Sequence, residues 1–181
     1  GSAERITVFC GIGAREAHDE VVRLAAMLKA PVAYTFKAKM EVQYDNPYEI
    51  GMTGLLGLPS AYGAMHESDL LLLLGTDFPY DCFLPSECCI AQVDIRPERI
   101  GRRARVELGL AGDVKETLQA LFPMLRERSD RVFLDRQLKI YGALCDDMAA
   151  VASKRGSAGN IAPEYVATLI DTLASDSAIF T

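Results

Sequence analysis

Five consecutive leucines, Leu70 to Leu74, run from Ser68-Asp69 to Gly75. A short, wholly apolar run closed by a glycine reads as a strand buried on both faces, central in a sheet covered by helices on either side. Similar runs recur at Ile6 to Cys10 before Gly11, Pro31 to Phe36, Ile90 to Ile95 before Arg96-Pro97, and Val106 to Leu110. Helical patterns fall between them. From Glu16 to Lys29, Val21, Leu24, Ala25 and Leu28 share one face. Pro59 opens a short helix to about Ser68. Asp113 and Glu116 have capping-box spacing, and Leu118, Leu121, Phe122 and Leu125 follow on one face. Another helix covers Asp130 to Ala152. This alternation dictates an α/β class: a Rossmann-like, doubly wound, mostly parallel sheet with helices on both faces, in a single domain.

The 181 residues suffice for one good core. The net charge of −6, with both signs interspersed, argues against nucleic acid or an anionic membrane as partner. No apolar run approaches the about 20 residues needed to span a bilayer. The five cysteines form no Cys-x-x-Cys pair, and His18 and His66 stand apart, so no zinc site is expected and the thiols read as reduced cysteines of a cytoplasmic protein. Gly1-Ser2-Ala3 reads as a cleavage scar. Ser153 to Asn160 reads as a linker, and Pro163 opens a last helix with Val166, Leu169, Ile170 and Leu173 on one face. Ser177 to Thr181 reads as a strand whose sequel is missing. The expected division is therefore a main domain over 4–152, a linker over 153–160 and the start of another domain over 161–181.

Doubly wound sheets bind ligands beyond the carboxyl ends of their strands, so candidates lie just after strands. Gly11 and Gly13 suit a tight strand-to-helix turn or a loop lining a ligand. Glu16 occupies the third glycine position of the dinucleotide fingerprint, and Phe36-Lys37 stands where its acid belongs, so a free-standing NAD-linked enzyme is disfavoured. Thr53-Gly54-Leu55-Leu56 is a glycine-punctuated loop, either packing over the sheet or approaching a ligand. Gly75-Thr76-Asp77-Phe78-Pro79-Tyr80 offers backbone amides, a hydroxyl and aromatic surface, a mix that suits a large flat cofactor or a structural loop. Asp94 ends an apolar strand, poised for a ligand hydroxyl or for a salt bridge to Arg96 or Arg99. Gly112-Asp113 is explained by capping and also faces the same end of the sheet. No nucleophile, base and orienting group come together, so no catalytic residue and no metal ligand is assigned. Both histidines read as solvated or capping.

Taken as a set, Tyr44 to Gly57, Leu74 to Tyr80, Val93-Asp94-Ile95 and Gly112-Asp113 resemble the central domain of thiamine-diphosphate enzymes of the bacterial pyruvate oxidase, or pyruvate dehydrogenase (quinone), kind. The resemblance runs from about Ile6 to Thr181. It implies a three-domain parent in which the flanking domains bind thiamine diphosphate and Mg2+, and the middle one binds FAD in the oxidases and in acetohydroxyacid synthase. It further implies decarboxylation of pyruvate or a related 2-oxo acid, electron transfer to quinone or oxygen, and a homo-oligomeric parent, tetramer or dimer. By the same resemblance, Thr53 to Leu56 and Thr76 to Tyr80 would line FAD, Asp94 and Ile95 would hold its adenosine end, and Gly11 and Gly13 would lie near the diphosphate. The fragment alone would be inactive. Two departures, the bulky Ala14-Arg15-Glu16 and the negative Asp77, keep open the alternative of an ADP-like nucleotide, or no ligand, in a purely structural domain.

Overall fold

The computed structural model describes residues 3–154, 156, 160–175 and 177–178. Two compact units divide at Tyr141 and Gly142.

The first unit contains six parallel strands: β1 (Ile6–Cys10), β2 (Val32–Tyr34), β3 (Glu49–Met52), β4 (Leu70–Leu74), β5 (Cys89–Asp94) and β6 (Leu108–Ala111). Their order in the sheet is β3-β2-β1-β4-β5-β6, every neighbouring pair parallel. That is the doubly wound arrangement: the chain winds outward from β1 to one edge, then returns beside β1 and winds to the other. The α/β reading is correct.

The leucine run explains how the sheet is held. Successive side chains of a strand point to opposite faces. Leu70, Leu72 and Leu74 join the cluster on one face with Val8, Val32 and the helices α1 (His18–Leu28) and α4 (Val114–Leu121). Leu71 and Leu73 join the other, with Phe9, Ile50, Ile90, α3 (Pro59–Glu67) and Phe133 of α5 (Val132–Ala152). A strand covered on both sides has no solvated face, so all five positions are apolar.

Local signals set the helix ends. Pro59 occupies the first turn of α3. Asp113 caps α4 by accepting from the Glu116 amide at 3.1 Å. Among the described residues the Glu116 side chain makes no return bond; instead the Thr117 hydroxyl donates to the Asp113 carbonyl at 2.6 Å. Pro123 ends α4 in a tighter turn, Phe122–Met124.

Four elements differ from the sequence reading. The first helix begins at His18 rather than Glu16, because a separate tight turn, Ile12–Ala14, comes first. A four-residue helix, α2 (Lys39–Val42), and the edge strand β3 occupy a stretch read as irregular. β3 is short and contains Gly51 at φ 87°, so it carries almost no alternation to read. The last strand begins at Leu108, because the ladder to β5 starts with Ala91 opposite Leu108. Val106 instead packs against the apolar cluster under α3.

The second unit, 142–181, contains the later turns of α5 and the helix α6 (Pro163–Leu173). Val166, Leu169, Ile170 and Leu173 of α6 are all exposed. Half of the expected linker (155 and 157–159) and the end of the expected strand (179–181) lie outside the described residues, as do Gly1 and Ser2 of the expected scar. No helix of the described residues is long and apolar enough to cross a membrane.

Candidate functional site

The carboxyl ends of β1 to β5 open into one cleft of about 550 Å3. Ligand sites commonly span roughly 300–1,000 Å3. The cleft lies where the winding direction reverses, between β1 and β4, which is where doubly wound sheets leave a crevice. Its walls are the segments just after strands: Ile12 after β1, residues 35–37 after β2, 53–57 after β3, 75–80 after β4, and Arg99 and Arg103 after β5.

The turn after β3 is tight. The Gly57 amide donates to the Gly54 carbonyl at 2.9 Å, and Gly54 has φ 116°, a conformation that side chains oppose. The turn carries Thr53 into the cleft wall. Thr53 is 4% exposed, its amide donates to the Tyr34 carbonyl at 3.2 Å, and its Oγ1 has no partner among the described residues. A buried hydroxyl left unpaired costs on the order of 1–3 kcal/mol. Leu55 and Leu56 stand exposed at the lip of the cleft.

The loop after β4 is anchored from three sides. From β1, the Gly13 amide donates to the Gly75 carbonyl at 3.0 Å. A Cβ on Gly11 would lie 2.4 Å from that same oxygen, and one on Gly13 would lie 2.7 Å from Gly75 Cα. The two glycines are thus required by backbone packing against the loop, and neither lines the cleft. From the core, Phe78 sets its ring edge-on to Phe9 at 5.2 Å and to Tyr80 at 5.4 Å. From β5, buried Gln92 donates to the carbonyls of Thr76 and Arg99, both at 3.3 Å, and accepts from the Gly101 amide at 2.9 Å. Gln92 therefore holds the loop after β4 and the turn after β5 in one register.

That register brings Asp77 among three arginines. Its carboxylate accepts from Arg99 Nη1, from Arg103 Nε at 3.0 Å and from Arg102 Nη1 at 3.3 Å. Burial alone would raise the Asp77 carboxyl. The hydrogen bond and charge of Arg103, with the charges of Arg99 and Arg102, outweigh burial and hold it below the ordinary carboxylate range. The negative charge that stood out in the sequence is therefore neutralised.

The remaining candidates lie outside the cleft lining. Asp94 accepts from the Arg96 backbone amide at 2.9 Å, and its carbonyl accepts from the Gly112 amide at 3.0 Å. The salt bridge considered for Asp94 is thus not formed: Arg96 engages it through its backbone, and Arg99 turns to Asp77. Ile95 is exposed, and Asp113 is occupied as a cap. Glu16 is exposed on the turn before α1 and also lies outside the lining. His18 is buried rather than solvated. Its ring lies 4.0 Å from that of Tyr44, and neither ring nitrogen has a hydrogen-bond partner among the described residues. His66 is exposed, with Nε2 3.2 Å from the Phe83 carbonyl. Among the described residues no group of three or more His, Cys, Asp or Glu side chains could hold a metal ion.

Sequence reading missed Ile12, Thr35, Met52, Arg99 and Arg103 as cleft residues, and read Phe36-Lys37 only as the missing acid. The rule that ligand loops follow strands covers Thr35 to Lys37 directly. Arg99 and Arg103 had a weaker signal: they belong to a run after a strand, 96–105, that holds five arginines against one acid, Glu98.

The family model for the central domain of thiamine pyrophosphate enzymes matches residues 1–121. The chain belongs to that family. It is 54% identical over 137 residues to an uncharacterized 42.6 kDa protein in the isoamylase 3' region of Pseudomonas amyloderamosa, covering 76% of this chain and 35% of that protein. It is 36% identical over 134 residues to the putative thiamine pyrophosphate-containing protein YdaP of Bacillus subtilis, covering 74% and 23%. It is 29% identical over 130 residues to pyruvate oxidase of Lactiplantibacillus plantarum, covering 70% and 22%, and acetolactate synthases match at similar identity. The chain thus spans between about a fifth and a third of the length of these relatives.

Proposed function

We propose that the chain is the cofactor-holding central domain of a thiamine-diphosphate enzyme that decarboxylates pyruvate or a related 2-oxo acid, and that its cleft holds FAD. The observation that carries this is the Thr53 hydroxyl, buried and unpartnered in the wall of a cleft at the switch point of the sheet. A ligand atom that hydrogen-bonds there removes the cost of the unpaired group. The long, partly apolar cleft, with Leu55, Leu56 and Tyr80 at its rim, suits a flat ring system. Thr53 to Leu56 and Gly75 to Tyr80 would hold the cofactor. Asp94, whose Oδ2 has no protein partner among the described residues, is open to its adenosine end.

Relatives named pyruvate oxidase and acetolactate synthase support a 2-oxo acid substrate. Bound FAD would supply a two-electron acceptor, delivering to quinone or oxygen. In this reading 4–152 is the central domain, 153–160 the linker and 161–181 the start of the diphosphate-binding domain. Flanking domains carry thiamine diphosphate, Mg2+ and the catalytic groups, in a homo-oligomer working in the cytoplasm. The domain alone performs no chemistry. The Asp77 ion pairs remove one of the two objections to a flavin, and the exposed position of Glu16 outside the lining weakens the other.

The test is the purified full-length protein. It is expected to show flavin absorbance and to release FAD on denaturation. A protein that stays colourless after incubation with FAD, while still binding thiamine diphosphate, would sink the flavin assignment.

A further inference from the structure

Of the six strands, only β6 has no buried residue: Leu108, Gly109, Leu110 and Ala111 are all exposed. It pairs with β5 on one side and, among the described residues, with no strand on the other. Leu108 is 54% exposed and Leu110 38%, and neither joins an apolar cluster of the sheet. Ile100 lies over Gly109, where an added Cβ would meet Ile100 Cγ2 at 2.4 Å. Side chains alternate along a strand, so the two leucines project together from the opposite face. Sheet edges are commonly protected by a charge or a proline, and β6 holds neither. An unpaired apolar edge is a template to which another strand adds.

The flanks of β6 say which strand fits. Arg102, Arg103 and Arg105 precede it, and Asp113 and Glu116 follow it. An antiparallel partner with the same order of charges would set acid against base at both ends. We infer that β6 pairs antiparallel with β6 of a second copy of this chain, about a two-fold axis at Gly109, joining two sheets into one. Residues opposed across a ladder share a face, so leucine must meet leucine. With the axis at Gly109, Leu108 opposes Leu110 of the second copy, and the same register sets Arg105 against Asp113. Arg105 is 91% exposed in its side chain, with only Glu107 near it at 3.7 Å. Asp113 caps α4 through Oδ1, and its Oδ2 has no protein partner among the described residues. An axis at Leu110 would instead set Glu107 against Asp113, like against like. An axis at Leu108 would set Arg105 against Ala111. The interface is isologous, as a two-fold requires. This deepens the homo-oligomer of the proposed function and is independent of the cofactor.

Sedimentation of the full chain tests the pairing. One strand pair buries less than a standard interface of roughly 800 Å2 per partner, so a dimer of about micromolar strength is expected. Leu110→Lys puts a charge on the edge and should abolish the dimer up to about 200 µM. Leu108→Lys serves if Leu110→Lys lowers the thermal melt. Arg105→Glu should weaken the dimer about tenfold, because the two-fold repeats each pair. Arg126→Glu, the same reversal at an exposed arginine outside β6 and its flanks, should leave it unchanged. Oxidative cross-linking reads the register, in a background of Cys82→Ser, Cys89→Ser and Cys145→Ser. Opposed residues lie about 4.5–5.5 Å apart at Cα, within disulfide reach. Mixing Leu108→Cys protein with Leu110→Cys protein should give a covalent dimer, and neither alone should. Cross-linking by Leu108→Cys alone would move the axis and overturn the register. A dimer indifferent to Leu110→Lys would overturn this surface and leave a homo-oligomer standing by another. A chain monomeric at every concentration would overturn the pairing and leave the edge to a flanking segment of a longer protein. None of these outcomes bears on whether the cleft holds FAD.

Discussion

At the scale of single residues, Asp77 shows how far a side chain's meaning depends on partners distant in sequence. Read along the chain it is an acid in an apolar loop. In the fold it meets Arg103, 26 residues away, and Arg99, 22 residues away. No periodicity or spacing rule links those positions, because only the pairing of β4 with β5 brings their loops together. The pairing has a pH consequence. An unfolded aspartate titrates near about 3.9, and the folded carboxyl lies lower. Folding thus favours the ionised form. The stabilisation is complete above the unfolded value and is lost as pH falls through the folded one. Urea unfolding from about pH 5 down to pH 2 should therefore show a steeper loss for the wild type than for Asp77→Asn. At neutral pH the variant should be weaker by on the order of 1–2 kcal/mol, since the arginines are partly exposed. Parallel pH profiles for the two proteins would mean that Asp77 is not ionised against these arginines.

At the scale of elements, strands with buried alternating faces were legible and edges were not. β1, β4 and β5 are apolar because helices cover them, so composition announces them. β3 and β6 lie at the sheet margins, each four residues long and each with a glycine, and so were missed or displaced. The β1 glycines illustrate the same limit for the site. A glycine after a strand looks like a phosphate turn, whereas here the constraint is contact with the loop after β4. The two explanations predict different behaviour without ligand. Gly13→Ala would push a methyl to 2.7 Å from Gly75 Cα and 3.0 Å from its carbonyl oxygen, both backbone atoms. It should cost roughly 1–3 kcal/mol in urea unfolding of the ligand-free protein. Gly63→Ala, in α3 with nothing within 4 Å of the new methyl, should instead stabilise by roughly 0.5–1 kcal/mol. A ligand-free Gly13→Ala as stable as the wild type would return that glycine to a purely ligand-facing role.

At the scale of the whole molecule, the alternation of strands and helices implied a parallel sheet but not the order of its strands. That order follows from which strand leaves β1 in which direction, and the crossing point that creates the cleft was not legible in any one segment. The sheet binds its two apolar faces into one structure, because every strand from β1 to β5 contributes to both clusters or lies between strands that do. The cysteines report on this. Cys82 and Cys89 are exposed, Cys88 is buried beside β5, and Cys10 is wholly buried at the end of β1. Burial pushes the Cys10 thiol up to about 12 and the Cys88 thiol to about 11, so neither is a thiolate at neutral pH while folded. Labelling with a maleimide should therefore modify Cys82 and Cys89 at once and Cys88 more slowly. Cys10 should react only through global unfolding, because it pairs with both neighbouring strands and no local opening releases it. Its labelling rate should rise with urea along the slope of the equilibrium unfolding curve. A shallow dependence would show that the cleft end of β1 opens by itself, and that the rigid floor on which the Thr53 and Asp77 loops rest is not part of the cooperative core.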